Sequence, residues 1–367
     1  MTKTRIAALV LAAVAVPAAA YHRQTPPIVA ITFSGDTPLP RVPSAGRRIA
    51  LALDSSGRQI FRLDRSRNIL EQITTSGNND NPTISASGAV VAWDADCTAL
   101  GCPQPGRQIF MWSKGTSFQV TQDTTGTSVN PALSGKGNKI AFESRGNLIG
   151  NGNTTKQIFL RDAHALLSQI SSGNGSSQNA ALDRSGLRLV YDSTSTASGA
   201  ASTVAQVWLL GPQSPGDDPE PITNGDGSSQ RPSISPDGRI VVFDSSADLT
   251  GDRHDTGITQ IFVYELRTRT ITQVTNDTQG CTNASVSPMP GDYRIGYVCH
   301  DEGYFHQLRT NLSFRLPIPG TTTPQAIAEL GGHFMVVSTK ANLFGSGTTP
   351  GHQIYLLNLF KLAAEPL

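Results

Sequence analysis

The sequence predicts an all-β fold, a β-propeller of four-stranded antiparallel blades. Three features carry that expectation. A short phrase, "GRQIF", stands at 57–61 and again at 106–110, with near copies at 156–159, 205–208, 259–262 and 352–355. Each copy sits inside a longer unit of short strands and turns. The composition supplies 35 Gly and 23 Pro for those turns, with a lean 38% hydrophobic and 6% aromatic content. That suits many thin stacked sheets better than one thick core.

The Gln of the phrase falls at 59, 108, 157, 206, 260, 307 and 353. Self-similarity at a period of roughly 40–50 residues marks a propeller or a solenoid. Upstream of the phrase comes a turn of the form Ser/Asp-x-x-Gly, at 85–88, 134–137, 183–186 and 235–238. Before the turn lies a short strand ("NPTIS", "NPALS", "NAALD", "RPSIS", "NASVS"), and after it a second ("VVAWDA", "KIAFES", "RLVYDS", "IVVFDS"). The Gln phrase is the third strand. A fourth follows, as in "FQVT" (118–121) and "TQVT" (272–275). Four strands per period make one blade.

Seven phrases predict seven blades, with six blades and a decorated terminus as the alternative. The sixth phrase, "HQLRT" at 306–310, is degenerate. The first blade must open with "PRVPSAG" (40–46). The last has only "LFKLAAEPL" left for an outer strand, so "IVAITF" (28–33) is a candidate to pair with it and close the ring. Closure would remove free sheet edges.

The chain opens with Lys3 and Arg5, the apolar run "IAALVLAAVAV" and the small residues "PAAA" before Tyr21. This is the pattern of a secretory leader cleaved after Ala20. The expected organisation is a signal peptide at 1–20, an N-terminal segment at 21–39 and the propeller at 40–367. No later run approaches the roughly eighteen apolar residues of a span, so no membrane span is expected after cleavage. Formal net charge is +1, and no basic stripe offers nucleic acid a footprint. Cys97, Cys102, Cys281 and Cys299 are even in number in a chain that looks exported, which points to disulfides. Their spacing does not fit a structural zinc site.

The unit at 231–275, "RPSISPDGRIVVFDSSADLTGDRHDTGITQIFVYELRTRTITQVT", resembles the repeat of TolB-like propellers. These run Pro-x-x-Ser-Pro-Asp-Gly, an apolar strand, an aromatic strand ending in an acid, and a closing Leu/Ile/Val-Thr. The resemblance covers about residues 40–358. It implies a propeller of this family that is not TolB itself, because TolB carries a sizeable α/β domain before its propeller. Fold does not give function.

A residue present in every blade is structural. The Gln is expected to bond backbone groups of an adjoining blade or loop with both ends of its amide, and the Gly of each turn to supply φ > 0. Function belongs where blades differ: the connections at 94–107, 144–156, 192–205, 244–259 and 338–352. In one of these, Asp248, Asp252 and Asp255 offer hard oxygens suited to Ca2+, although the shared Asx-Leu-x-Gly form is explained by an Asx turn. His300, Asp301, Glu302 and His306, in "HDEGYFH", form the one group resembling a catalytic or metal site. Some TolB-like propellers are polysaccharide lyases with a histidine-rich metal site, so the resemblance keeps a glycan-acting enzyme open. No hydrolase, zincin, Walker or dinucleotide motif is present. The expectation is an exported, non-catalytic protein-interaction module of the periplasm or cell exterior, with an envelope or extracellular protein as partner. The alternative is a secreted glycan lyase or hydrolase.

Overall fold

A computed structural model describes residues 28–30, 48–55, 57–104, 106–211, 218–251, 257–286, 292–316, 328–330, 334–339, 353–358 and 365–366. The strands form seven separate antiparallel sheets. They are the seven blades, and the one helix among the described residues is a single turn at Cys97–Leu100. The signal segment 1–20 and the opening strand assigned to 40–46 lie outside the described residues.

The second blade shows the pattern. Its inner strand is Asn79–Ile84, its second Val90–Asp96, its third Arg107–Ser113 and its outer Thr116–Gln119. The chain runs down the inner strand, turns at Gly88 with φ 68°, and returns. Each such glycine adopts a left-handed conformation that a Cβ would oppose. One face, called the top, therefore carries the loops between second and third strands and the links between blades. The bottom carries tight turns and hairpins.

The core is divided among blade interfaces. Ala50, Ala52 and Ile60 of blade one pack with Ile84, Val91 and Trp93 of blade two. Val190, Val207 and Leu209 of blade four meet Val241, Phe243 and Phe262 of blade five. Full burial of one such side chain is worth about 1.5–3 kcal/mol. Within blades two to six an aromatic of the second strand stacks on one of the third, from Trp93–Phe110 to Tyr297–Tyr304.

Both chain ends differ from a plain repeat. Ile28–Ala30 pairs with Gln353–Asn358 as the outermost strand of blade seven, as the need for closure predicts. Ile49, Leu51 and Phe61 of blade one pack on Val336, Ile354 and Leu356 of blade seven, completing the ring. The C-terminal tail does not take the outer position of blade seven that the sequence left for it. Glu365–Pro366 pairs instead with Leu312–Arg315, the outer strand of blade six. The N-terminal strand already holds that outer position in blade seven.

The sixth repeat is also corrected. Gln opposes Ala95, Ser144, Ser193 and Ser245 in blades two to five, and the residue in that slot opposite Cys299 is Glu302, not Gln307. A two-residue turn, His300–Asp301, replaces the long second-to-third loop. Both residues have positive φ, 52° and 61°. Deleting the loop shifts the strand while the sequence period stays nearly constant, which placed Gln307 at the wrong end of it.

Candidate functional site

The Gln slot is a clasp. Gln108 is buried; its Nε2 donates to the Asp123 carbonyl (3.1 Å), and its Oε1 accepts from Thr121 Oγ1 (2.8 Å) and Asp123 N–H (3.0 Å). Thr121 Oγ1 in turn accepts from Ile109 N–H at 2.9 Å. Gln59–Thr74, Gln157–Ser171, Gln206–Thr223 and Gln260–Thr275 repeat the pairing. The closing Thr or Ser of the repeat thus holds the Gln, and both fix the link to the next blade.

A second repeated device was not read from the sequence. Asp94, Glu143, Asp192 and Asp244 stand at one position of the second strand in blades two to five, almost fully buried. Each accepts a backbone N–H from a bulge in the inner strand of the following blade: Asn130 (3.0 Å), Asn179 (2.9 Å), Arg231 (2.9 Å) and Asn283 (2.9 Å). Those donors have φ between 52° and 60°, a conformation Asn tolerates best. That explains the Asn opening "NPALS", "NAALD" and "NASVS". The sequence signal was the acid after each aromatic, but its partner lies one repeat away.

Three of these carboxylates also hold a cation. Arg107 meets Asp94, Lys156 meets Glu143 at 3.4 Å, and Arg231 meets Asp244 at 2.6 Å. Asp192 has no counter-cation among the described residues. In its blade Ala205 stands where Arg107 and Lys156 stand in theirs. Its Oδ2 accepts from Asn179 Nδ2 at 2.7 Å and from Arg231 N–H. Burial pushes its carboxyl up to about 6. Burial also raises Asp244, against the opposing pull of Arg231.

The "HDEGYFH" group does not converge. His300 and Asp301 form the hairpin turn, while Glu302–Gln307 is a strand and not a loop. His300 Nε2 lies 2.7 Å from Asp277 Oδ1. Burial opposes ionisation of Asp277, yet the bonds from Gln279 N–H, His300 and Gly280 N–H hold its carboxyl below the usual range. Glu302 meets Arg315 and accepts from Tyr304 Oη. His306 lies four residues further along, roughly 13 Å at 3.3 Å per residue. It is buried on Ser313, with its Nδ1 3.0 Å from the hydroxyl, and burial lowers its pKa.

Both disulfides, Cys97–Cys102 and Cys281–Cys299, are formed. Cys281 and Cys299 occupy the positions where Ser229 and Ser245 share a 2.9 Å hydrogen bond in blade five. The bridge therefore ties two strands within a blade, whereas Cys97–Cys102 staples a loop. Asp277 gathers with Cys281 and Cys299 within 4.8 Å. Disulfide sulfurs are not thiolates, and the Asp277 carboxylate is already bonded, so this group does not fit a metal. Asp248 Oδ1 accepts from Gly251 N–H at 2.8 Å, closing the Asx turn. Asp252 and Asp255 lie outside the described residues.

The top connections show shape held by covalent or hydrogen-bonded closure. Asp96 caps the helical turn inside the Cys97–Cys102 loop, accepting from Thr98 N–H at 2.9 Å. The 192–205 connection is an extended hairpin in which Thr196 N–H donates to the Ala200 carbonyl at 2.8 Å, with Thr196, Ala197 and Ser198 exposed.

Solved structures share the propeller. An oligogalacturonate lyase in complex with manganese aligns with 11% identity over 90% of this chain and 92% of that one, at a TM-score of 0.62. The β-propeller domain of the Trilobed protease from Pyrococcus furiosus aligns with 10% identity over 90% and 96%, at 0.60. TolB from Acinetobacter baumannii aligns with 12% identity and a TM-score of 0.46 over 86% of this chain, which spans 64% of that one. No family model matches the chain, and no curated protein matches it. The class these findings define is a β-propeller, with seven blade sheets among the described residues.

Proposed function

We propose that this propeller is a non-catalytic interaction module that works outside the cytoplasm, presenting its top loops to a protein partner. One contrast carries the reading. Among the described residues, His300, Glu302 and His306 are engaged in scaffold bonds, while the loops at 94–107 and 192–205 expose side chains on closed frames. The loop at 244–259 is assigned to the same surface. Recognition loops on a rigid scaffold are a common use of such a fold. Two disulfides and the leader-like N-terminus support an oxidising compartment.

A photo-reactive residue placed at Ala99 and, separately, at Ala197 tests this in cells. Capture of one recurrent protein from both positions is the expected result. Repeated capture of no protein removes the reading. The glycan-acting alternative, which so far rests on a fold likeness to a lyase, then becomes the first to test, by glycan binding and by His300→Ala and His306→Ala variants.

A further inference from the structure

The bottom face was assigned no role above, yet its composition is unlike the top's. Arg67, Lys114, Lys136, Arg184 and Arg309 stand on bottom turns of blades one, two, three, four and six, all exposed. None forms an ion pair among the described residues. Lys136 N–H bonds the Arg184 carbonyl at 3.0 Å, so these two cations sit on neighbouring turns. Like charges side by side cost stability rather than add to it. The bottom also exposes Asp218, Glu220 and Asp237, but Glu220 pairs with Arg269 and Asp237 with Arg239; the top exposes Asp54, Asp226 and Asp301, with Arg145 on the same face.

Among the described residues, four of the six exposed large apolar side chains fall on the same end as the cations; Ile149 lies in a top loop and Phe118 in an outer strand. Ile69, Leu166 and Leu312 each follow a bottom hairpin, and Leu187 lies in a bottom turn, at 52%, 65%, 43% and 54% exposure. Charge and apolar contact are thus interleaved around the ring. The described segments that bear them are short turns of two to five residues.

We infer that the bottom face is a peripheral membrane surface that binds anionic lipid headgroups. Cations spread over short turns of five blades suit a broad negative surface, each Lys or Arg adding attraction within a Debye length. Interspersed Leu and Ile can enter the headgroup boundary as an interfacial helix does with its apolar face. Docked this way, the top loops point away from the bilayer.

The test is vesicle sedimentation of the full chain at low and high salt, with phosphatidylglycerol–phosphatidylcholine vesicles and with phosphatidylcholine alone. The N-terminal apolar run is common to every variant, so the readout is the difference between them. Lys114→Glu with Lys136→Glu and Arg184→Glu should weaken binding to anionic vesicles at least about tenfold. Leu166→Ser with Leu187→Ser should weaken it several-fold. Arg145→Glu, on the top, should not. Circular dichroism confirms that each variant folds. Equal binding by all variants, or equal loss in the Arg145→Glu control, overturns the inference. So does binding that ignores lipid charge, or release from vesicles by an excess of soluble acidic glycan or protein at constant ionic strength.

Discussion

Blades five and six are neighbours, and they solve the same problems with different chemistry. Blade five holds every repeated device: Gln260 clasped by Thr275, Asp244 latched to Asn283, and Ser229 bonded to Ser245. Blade six has Glu302 in the Gln slot, Val298 in the acid slot and a disulfide in the Ser–Ser slot. Its long top loop is reduced to His300–Asp301. The strands and the Tyr297–Tyr304 stack persist. The repeat is therefore a set of separable slots. A blade can lose the polar devices if another tie, here covalent, holds the top of its inner pair of strands.

That comparison can be broken by mutation, beginning with the buried acid. Asp244→Ala should destabilise by about 2–4 kcal/mol, because it leaves the backbone N–H groups of Asn283 and Ala284 unpaired and removes the partner of the half-exposed Arg231. Val298→Ala at the same slot should cost only about 1 kcal/mol. Urea titration of both variants measures the gap, and equal losses would show that the slot, not the charge, matters. Cys281→Ser with Cys299→Ser should cost about 3 kcal/mol for a closed loop of this size, against about 1 kcal/mol for Ser229→Ala with Ser245→Ala. Gln260→Ala should cost about 2 kcal/mol by leaving buried partners unsatisfied. Glu302→Ala should cost less than about 1 kcal/mol, since its Arg315 partner is half in solvent.

The smallest effect concerns blade four and is read through pH. Asp192 faces Glu143 of blade three, Asn179 and Gln178 of its own blade, and the Arg231 backbone of blade five, whose guanidinium is taken by Asp244. In the unfolded chain its carboxyl titrates near ~3.9; in the fold burial holds it near about 6. Between those values the folded state binds a proton that the unfolded state has lost. This group's contribution is therefore most favourable below about pH 4 and is lost as pH rises through about 6. Asp192→Asn keeps an oxygen for both bonds. It should flatten the stability profile between pH 4 and 6 and leave the protein at least as stable at pH 7. A sharp loss at pH 7 would show that the ionised form is the one the fold requires.

The fold was legible because its signals are local. The Ser/Asp-x-x-Gly turn, the alternating strand and the Gln phrase each recur within a few residues, and the count of phrases matches the count of sheets. The clasp was legible in kind, since a buried amide must bond at both ends, but its partner Thr was visible only as a motif letter. The acid latch was not legible. Asp94 and Asn130 are joined through a bulge that exists only once two blades pack. Blade six misled for a physical reason: shortening the loop before Glu302 moved the strand's start without changing where the next repeat begins. The "HDEGYFH" cluster looked like a site because sequence proximity hides the direction of a strand, which carries His306 away from His300.

Closure of the ring has a consequence for the order of events at birth. Ala30 pairs with Tyr355, more than three hundred residues later. The strand that seals the last blade is therefore made among the first and waits, edge unpaired, until nearly the whole chain exists. At synthesis rates of roughly 5–20 residues per second that interval is on the order of tens of seconds. Nascent chains of this protein should be clients for a holding chaperone until the seam closes, and truncation by a few C-terminal strands should leave them captive.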